Sequence, residues 1–88
     1  MPSYLVETFL ARGGAGEWSA RERRARSTAE ELTREGTRVR FVGSTHVPDD
    51  ELCLFAFEAP SSADAALVAQ RAGLEPLRVV EAVSSREE

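Results

Sequence analysis

The sequence has no lysine, isoleucine or asparagine, and one each of cysteine, histidine and tryptophan. All eleven basic residues are therefore arginine, a bias that points to GC-rich coding and a high-GC bacterial source. With Cys53 alone, no internal disulfide and no cysteine-based metal cluster can form within one chain. Cys53 lies in the apolar run Leu52–Phe55 and reads as a small buried hydrophobe. No apolar stretch approaches the roughly 20 residues of a membrane-spanning helix. The start, Met1-Pro2-Ser3-Tyr4, lacks a basic region, and Glu7 interrupts the apolar run behind it. No signal peptide is expected, and a cytoplasmic location follows. Gly13, Gly14 and Gly16 do not have the G-x-G-x-x-G spacing, and no Lys-Ser/Thr follows them as in a phosphate loop. They read as a flexible turn. The net charge of −4 argues against nucleic acid as a partner.

What is present is one domain's worth of chain, 88 residues. A chain this short buries only roughly 60–65% of its unfolded surface, so self-association is a natural supplement to a thin core. Tyr4 to Leu10 alternates and is rich in strand formers. A helix is expected from Glu17 or Ser19 to Glu35, with Ser19 and Glu22 as a capping box and Gly36 just past its end. Trp18, Ala25, Ala29 and Leu32 form its apolar stripe. Its arginines read as a solvated face with Glu22→Arg26 and Glu30→Arg34 pairs rather than a nucleic-acid surface. Arg38 to Val47 is a second strand, Pro48-Asp49-Asp50 a tight turn and Leu52 to Ala59 a third strand. A second helix opens at Pro60-Ser61-Ser62, with Ser61 or Ser62 as its cap, and ends at Gly73-Leu74. Leu77 to Val83 is a fourth strand, and residues 84–88 are a polar tail.

The order strand, helix, strand, strand, helix, strand is the βαββαβ unit of ferredoxin-like α+β domains, filling residues 1–83. It predicts a four-stranded antiparallel sheet with both helices on one face. Alternation then sorts the strands. Tyr4, Val6, Thr8 and Leu10, with Val39, Phe41, Gly43, Thr45 and Val47, belong to the helix side. Cys53, Phe55, Phe57 and Ala59, with Val80 and Ala82, join them. The open face collects Leu5, Glu7 and Phe9, then Arg40, Val42, Ser44 and His46. It also collects Leu52, Leu54, Ala56 and Glu58, then Leu77, Val79, Glu81 and Val83.

An open face this apolar suits a homodimer interface enclosing a cavity. Its polar residues, Glu7, Arg40, His46, Glu58 and Glu81, are the candidate ligand-binding set. Buried carboxylates need a partner, and Arg40 is the obvious one. His46 with Glu7 and Glu58 offers a donor set for a divalent metal such as nickel or zinc, although no spacing motif marks it. A cofactor-free enzyme, isomerase or monooxygenase-like, is the alternative. In it His46 is the acid/base and Arg40 stabilises an anionic intermediate, provided the two converge on one pocket. A tautomerase using Pro2 fits less well, since each short tautomerase unit is a single β-α-β.

Several segments carry a resemblance: Tyr4-Leu5-Val6-Glu7, Val47 to Cys53, Phe57-Glu58-Ala59-Pro60-Ser61, Ala72-Gly73-Leu74 and Val79-Val80-Glu81. They resemble a family of small bacterial ferredoxin-like proteins, a domain of unknown function with a nickel-binding actinobacterial member. The resemblance spans Pro2 to about Ala82. It implies a ferredoxin-like fold, a homodimer in a dimeric α/β-barrel-like assembly, and metal binding. Nickel-binding relatives carry histidines in the second helix just before the Gly-Leu. This chain has Val68, Ala69, Gln70, Arg71 and Ala72 there instead. The combined expectation is a homodimeric binding protein for a metal ion or small ligand, without nucleic-acid or membrane partners.

Overall fold

A computed structural model describes residues 1–83; the polar tail read at 84–88 lies outside the described residues. The elements are β1 (Ser3–Phe9), α1 (Ala15–Arg34), β2 (Arg40–Val47), β3 (Leu52–Glu58), α2 (Ser62–Arg71) and β4 (Arg78–Ala82). A short 3-10 turn over Pro48–Asp50 joins β2 to β3. The sheet is four-stranded and antiparallel in the order β2-β3-β1-β4. This is the ferredoxin-like βαββαβ arrangement that the segment order predicts. None of the helices among the described residues is long and apolar enough to cross a membrane.

The helices end as their sequences dictate. After each, a glycine takes the positive φ that a side chain would oppose, 109° at Gly36 and 72° at Gly73. Thr37 N–H then donates to Leu32 O and Leu74 N–H to Ala69 O, the Schellman closure in both cases. Leu74 folds back into the core, 1% exposed. Ser61 caps α2 by accepting from Asp64 N–H at 3.2 Å, and its hydroxyl donates to the Asp64 carboxylate at 3.0 Å. The start of α1 differs from the expectation. Its cap is Gly14, with no side-chain hydrogen bond, and the helix begins at Ala15 rather than at a Ser19–Glu22 capping box. Gly14 N–H donates to Ala11 O, which closes the glycine segment as a turn.

The core lies between the helices and one sheet face. Tyr4, Val6, Thr8 and Leu10 alternate with Phe55, Phe57, Cys53 and Ala59 against Ala25, Ala29, Leu32, Ala65, Val68 and Ala69. Thr8, fully buried, satisfies its hydroxyl by donating to Cys53 O at 2.9 Å.

Two strands depart from simple alternation. In β2, Phe41 stands opposite Phe57, but Gly43 stands opposite the next residue along, Ala56, so Val42 is an extra residue. This bulge reverses the parity of everything after it. Ser44 and His46, expected on the open face, pair with Phe55 and Cys53 and belong to the helix side. Gly43, Thr45 and Val47, expected on the helix side, pair with Ala56, Leu54 and Leu52 on the open face. In β4, Val79 and Glu81 stand opposite Val6 and Tyr4, hence on the helix side, whereas Arg78, Val80 and Ala82 take the open face. That inverts the expected β4 assignment. Residues 79 and 80 are both valine, so alternation had no contrast to read; the β1 pairing chose.

Candidate functional site

The open face presents Leu5, Leu52, Leu54 and Ala56 from the central strands and Val42, Val47 and Val80 from the edges. Phe9 is 56% exposed and Val42 50%, while the others are half-buried. Two ion pairs punctuate this surface. Arg78 Nε donates to Glu7 Oε2 at 2.9 Å. Arg40 Nη1 lies 3.5 Å from Glu58 Oε1.

The two pairs are related by an approximate two-fold rotation about the Leu5–Ala56 pair. Glu7 lies two residues past Leu5 on β1, and Glu58 two past Ala56 on β3. Each glutamate is on a central strand, and each is met by an arginine directly across on the adjoining edge strand. The arginines reach outward, with side chains 69% and 66% exposed for Arg40 and Arg78, while the carboxylates sit lower. The symmetry follows from the βαβ repeat: β1 with edge β4, and β3 with edge β2, are equivalent halves of the sheet.

The reversed parity of β2 builds a second polar cluster, on the helix side where the first turns of α1 cross the sheet edge. Trp18 Nε1–H donates to Ser44 Oγ at 2.8 Å, and the Ser44 hydroxyl donates to the Glu22 carboxylate. Trp18 packs on the His46 ring with centroids 5.5 Å apart, and His46 Nε2 lies 3.4 Å from Leu10 O. Arg21 donates to Glu17 at 3.0 Å and to Phe9 O at 2.8 Å, pinning α1 to the end of β1. Glu22 therefore serves Ser44 rather than the Arg26 pair expected for it. Beneath this cluster, burial pushes the Cys53 thiol from its ordinary value of 9.0 to about 11; nearby Arg21 pulls down and Glu22 pushes up. Cys53 is a packed hydrophobe, not a nucleophile.

Of the five candidate ligand residues, the structure brings Glu7, Arg40 and Glu58 to the open face. It removes His46 and Glu81 to the other side, Glu81 on the exposed β4 edge. The metal set His46, Glu7 and Glu58 is thus divided by the sheet, and both glutamates are engaged by arginines. Among the described residues no three histidine, cysteine, aspartate or glutamate side chains gather to hold a metal ion. The donors present do not fit the nickel site that the resemblance implies. The enzyme alternative loses its geometry in the same way: His46 and Arg40 lie on opposite faces of β2 and share no pocket.

Sequence reasoning missed Arg78 as the partner of Glu7, and it missed the Trp18–Ser44–Glu22 chain. A signal for the latter was present in Gly43. A glycine inside a strand pattern marks a bulge, and a bulge reverses parity. For Arg78 no local signal existed, because the partner is 71 residues away in sequence. No protein-family model, curated protein or solved structure matches the chain.

Proposed function

We propose that this chain is a homodimeric binding protein, in which the open sheet faces of two copies stack and enclose a small ligand. The observation that carries this reading is the symmetric face itself. It combines a run of apolar side chains, half-buried Leu5, Leu52, Leu54, Ala56 and Val80 with exposed Phe9 and Val42, and two ion pairs disposed about Leu5–Ala56. A contiguous apolar patch rimmed by polar groups is the usual mark of an interaction surface. Because the face carries its own approximate two-fold, it offers a second copy the same arrangement, arginine at the edge and glutamate inside, either way round. Two small residues in one row across edge strand β2 and central strand β3, Gly43 and Ala56, would leave space between stacked sheets.

The ligand suited to that space is a small organic molecule with an apolar body. Its polar group would exchange hydrogen bonds with Glu7–Arg78 or Arg40–Glu58. The donor set supports a small ligand rather than a metal ion.

Sedimentation equilibrium with native mass spectrometry tests the reading. A dimer is expected at tens of micromolar, about the range where weak association shows. Val42→Arg should weaken it by about tenfold or more, since it sets a second guanidinium beside Arg40 and each 1.4 kcal/mol is a factor of ten. A wild-type chain that stays monomeric removes the dimer and the enclosed site together. A dimer indifferent to Val42→Arg would place the interface elsewhere.

A further inference from the structure

Away from the open face, a groove of about 420 Å³ runs between the second half of α1 and the start of β2. Its floor is apolar: Ala29, Val39 and Phe41 are 2%, 5% and 9% exposed. Its rim carries three guanidinium groups, Arg26, Arg34 and Arg40. One carboxylate, Glu30, stands among them. The groove therefore carries a local excess of positive charge in a chain whose net charge is −4.

The state of each guanidinium gives the rim its meaning. Arg26 is stacked on the Phe41 ring, with its guanidinium carbon 5.2 Å from the ring centroid. That contact orients the group and leaves its in-plane N–H donors free. Glu30 is one helical turn from both Arg26 and Arg34, the right spacing to pair with either. Neither arginine has a carboxylate within ion-pair distance among the described residues. Arg40 is held only loosely, 3.5 Å from Glu58. Thr33 is not available to a ligand, since its hydroxyl is spent on Val39, donating to the carbonyl at 2.9 Å and accepting from the N–H at 3.2 Å.

Arginines at an exposed helix face ordinarily pair with the carboxylates placed for them. Here the neighbouring Glu35 and Glu31 pair with Arg71 instead, leaving the groove arginines out. We infer that the groove binds a small anion with a flat apolar body, an aryl phosphate or aryl carboxylate in chemical class. The body would lie on Ala29 and Val39, beside the Phe41 ring that Arg26 covers, and the anionic head would be met by Arg26 and Arg34, with Arg40 at the rim. Guanidinium forks suit planar and tetrahedral oxyanions because they offer paired parallel N–H donors. This site shares only Arg40 with the open face, its other lining residues lie on the helix side, and a monomeric chain would still possess it.

Phenyl phosphate, inorganic phosphate and phenol serve as probes, followed by amide chemical shifts of the full chain. Phenyl phosphate should give saturable shifts centred on Val39, Phe41 and Arg34. It should bind at least several-fold tighter than either inorganic phosphate or phenol. Arg26→Gln and Arg34→Gln, both at exposed positions, should each weaken it several-fold, because each removes one charged donor to the anionic head. Glu30→Gln should tighten it, since it removes the one opposing charge. Absence of saturable shifts would overturn the inference. So would binding unchanged in both arginine variants, or inorganic phosphate binding as tightly as phenyl phosphate.

Discussion

Ser44 stands directly opposite Phe55 across the β2–β3 ladder, and that pairing places a polar side chain on the helix side of the sheet. There it bridges the indole of Trp18 and the carboxylate of Glu22. The bridge exists because Val42 is an extra residue in β2. The same bulge keeps Phe41 in the core and turns His46 toward Trp18.

Deleting Val42 should therefore leave the facing of every other β2 residue as it is. Without the extra residue Phe41 and Gly43 follow one another opposite Phe57 and Ala56, alternation runs unbroken, and Ser44 and His46 stay on the helix side. The expected stability change on urea unfolding is within about 1 kcal/mol, with Trp18 emission unchanged. A loss of about 3 kcal/mol or more, the size of truncating a buried phenylalanine, would show that the facing of β2 does not survive removal of the bulge.

Ser44→Ala tests the bridge alone. It removes the acceptor for Trp18 Nε1 and the donor to Glu22 while leaving the backbone intact. A cost of about 1–2 kcal/mol is expected for two half-buried groups left without partners. Trp18 is the sole tryptophan, so its emission reports the site specifically. Unchanged stability and emission would mean that water replaces the serine at no cost.

Leu32, 2% exposed on the inner stripe of α1, carries the helix-to-sheet packing. Leu32→Ala should destabilise by about 2–4 kcal/mol. A change under about half a kcal/mol on chemical denaturation would show that the stripe is not core.

Cys53 makes stability depend on alkaline pH. Its thiol is raised in the fold from 9.0 to about 11, chiefly by burial. The folded state therefore holds a proton that the unfolded state releases first. This contribution is present in full below pH 9 and is lost as pH rises through about 11. Two units correspond to about 3 kcal/mol at most. Cys53→Ala should flatten the fall between these limits, and the wild-type thiol should resist iodoacetamide until the chain unfolds. Rapid alkylation of the native protein at pH 8 would contradict the burial.

The ends of the elements were legible in local chemistry. Gly36, Gly73 and Ser61 act where their backbone conformations or side-chain oxygens are needed, and each works within a turn of its own position. The start of α1 was not legible, because Ser19 and Glu22 form a plausible box, yet tertiary contacts recruit Glu22 to Ser44. The open-face cluster was half legible. Glu7, Arg40 and Glu58 share that face because β1, β3 and the first residues of β2 alternate without interruption, whereas His46 lies beyond the bulge and Glu81 on a strand whose adjacent valines, Val79 and Val80, give alternation no contrast.

The sequence by itself determined the element order, the sheet and the side on which the helices lie. Periodicity and caps are short-range properties, and βαββαβ leaves few ways to bury two helices. Only the tertiary structure decided which residues of β2 and β4 share a face. Facing is set by register against a neighbouring strand, and one unpaired residue at Val42 reverses all that follow. The partners of Glu7 and Glu22 were settled at the same level, because Arg78 and Ser44 come within reach only after the sheet has closed.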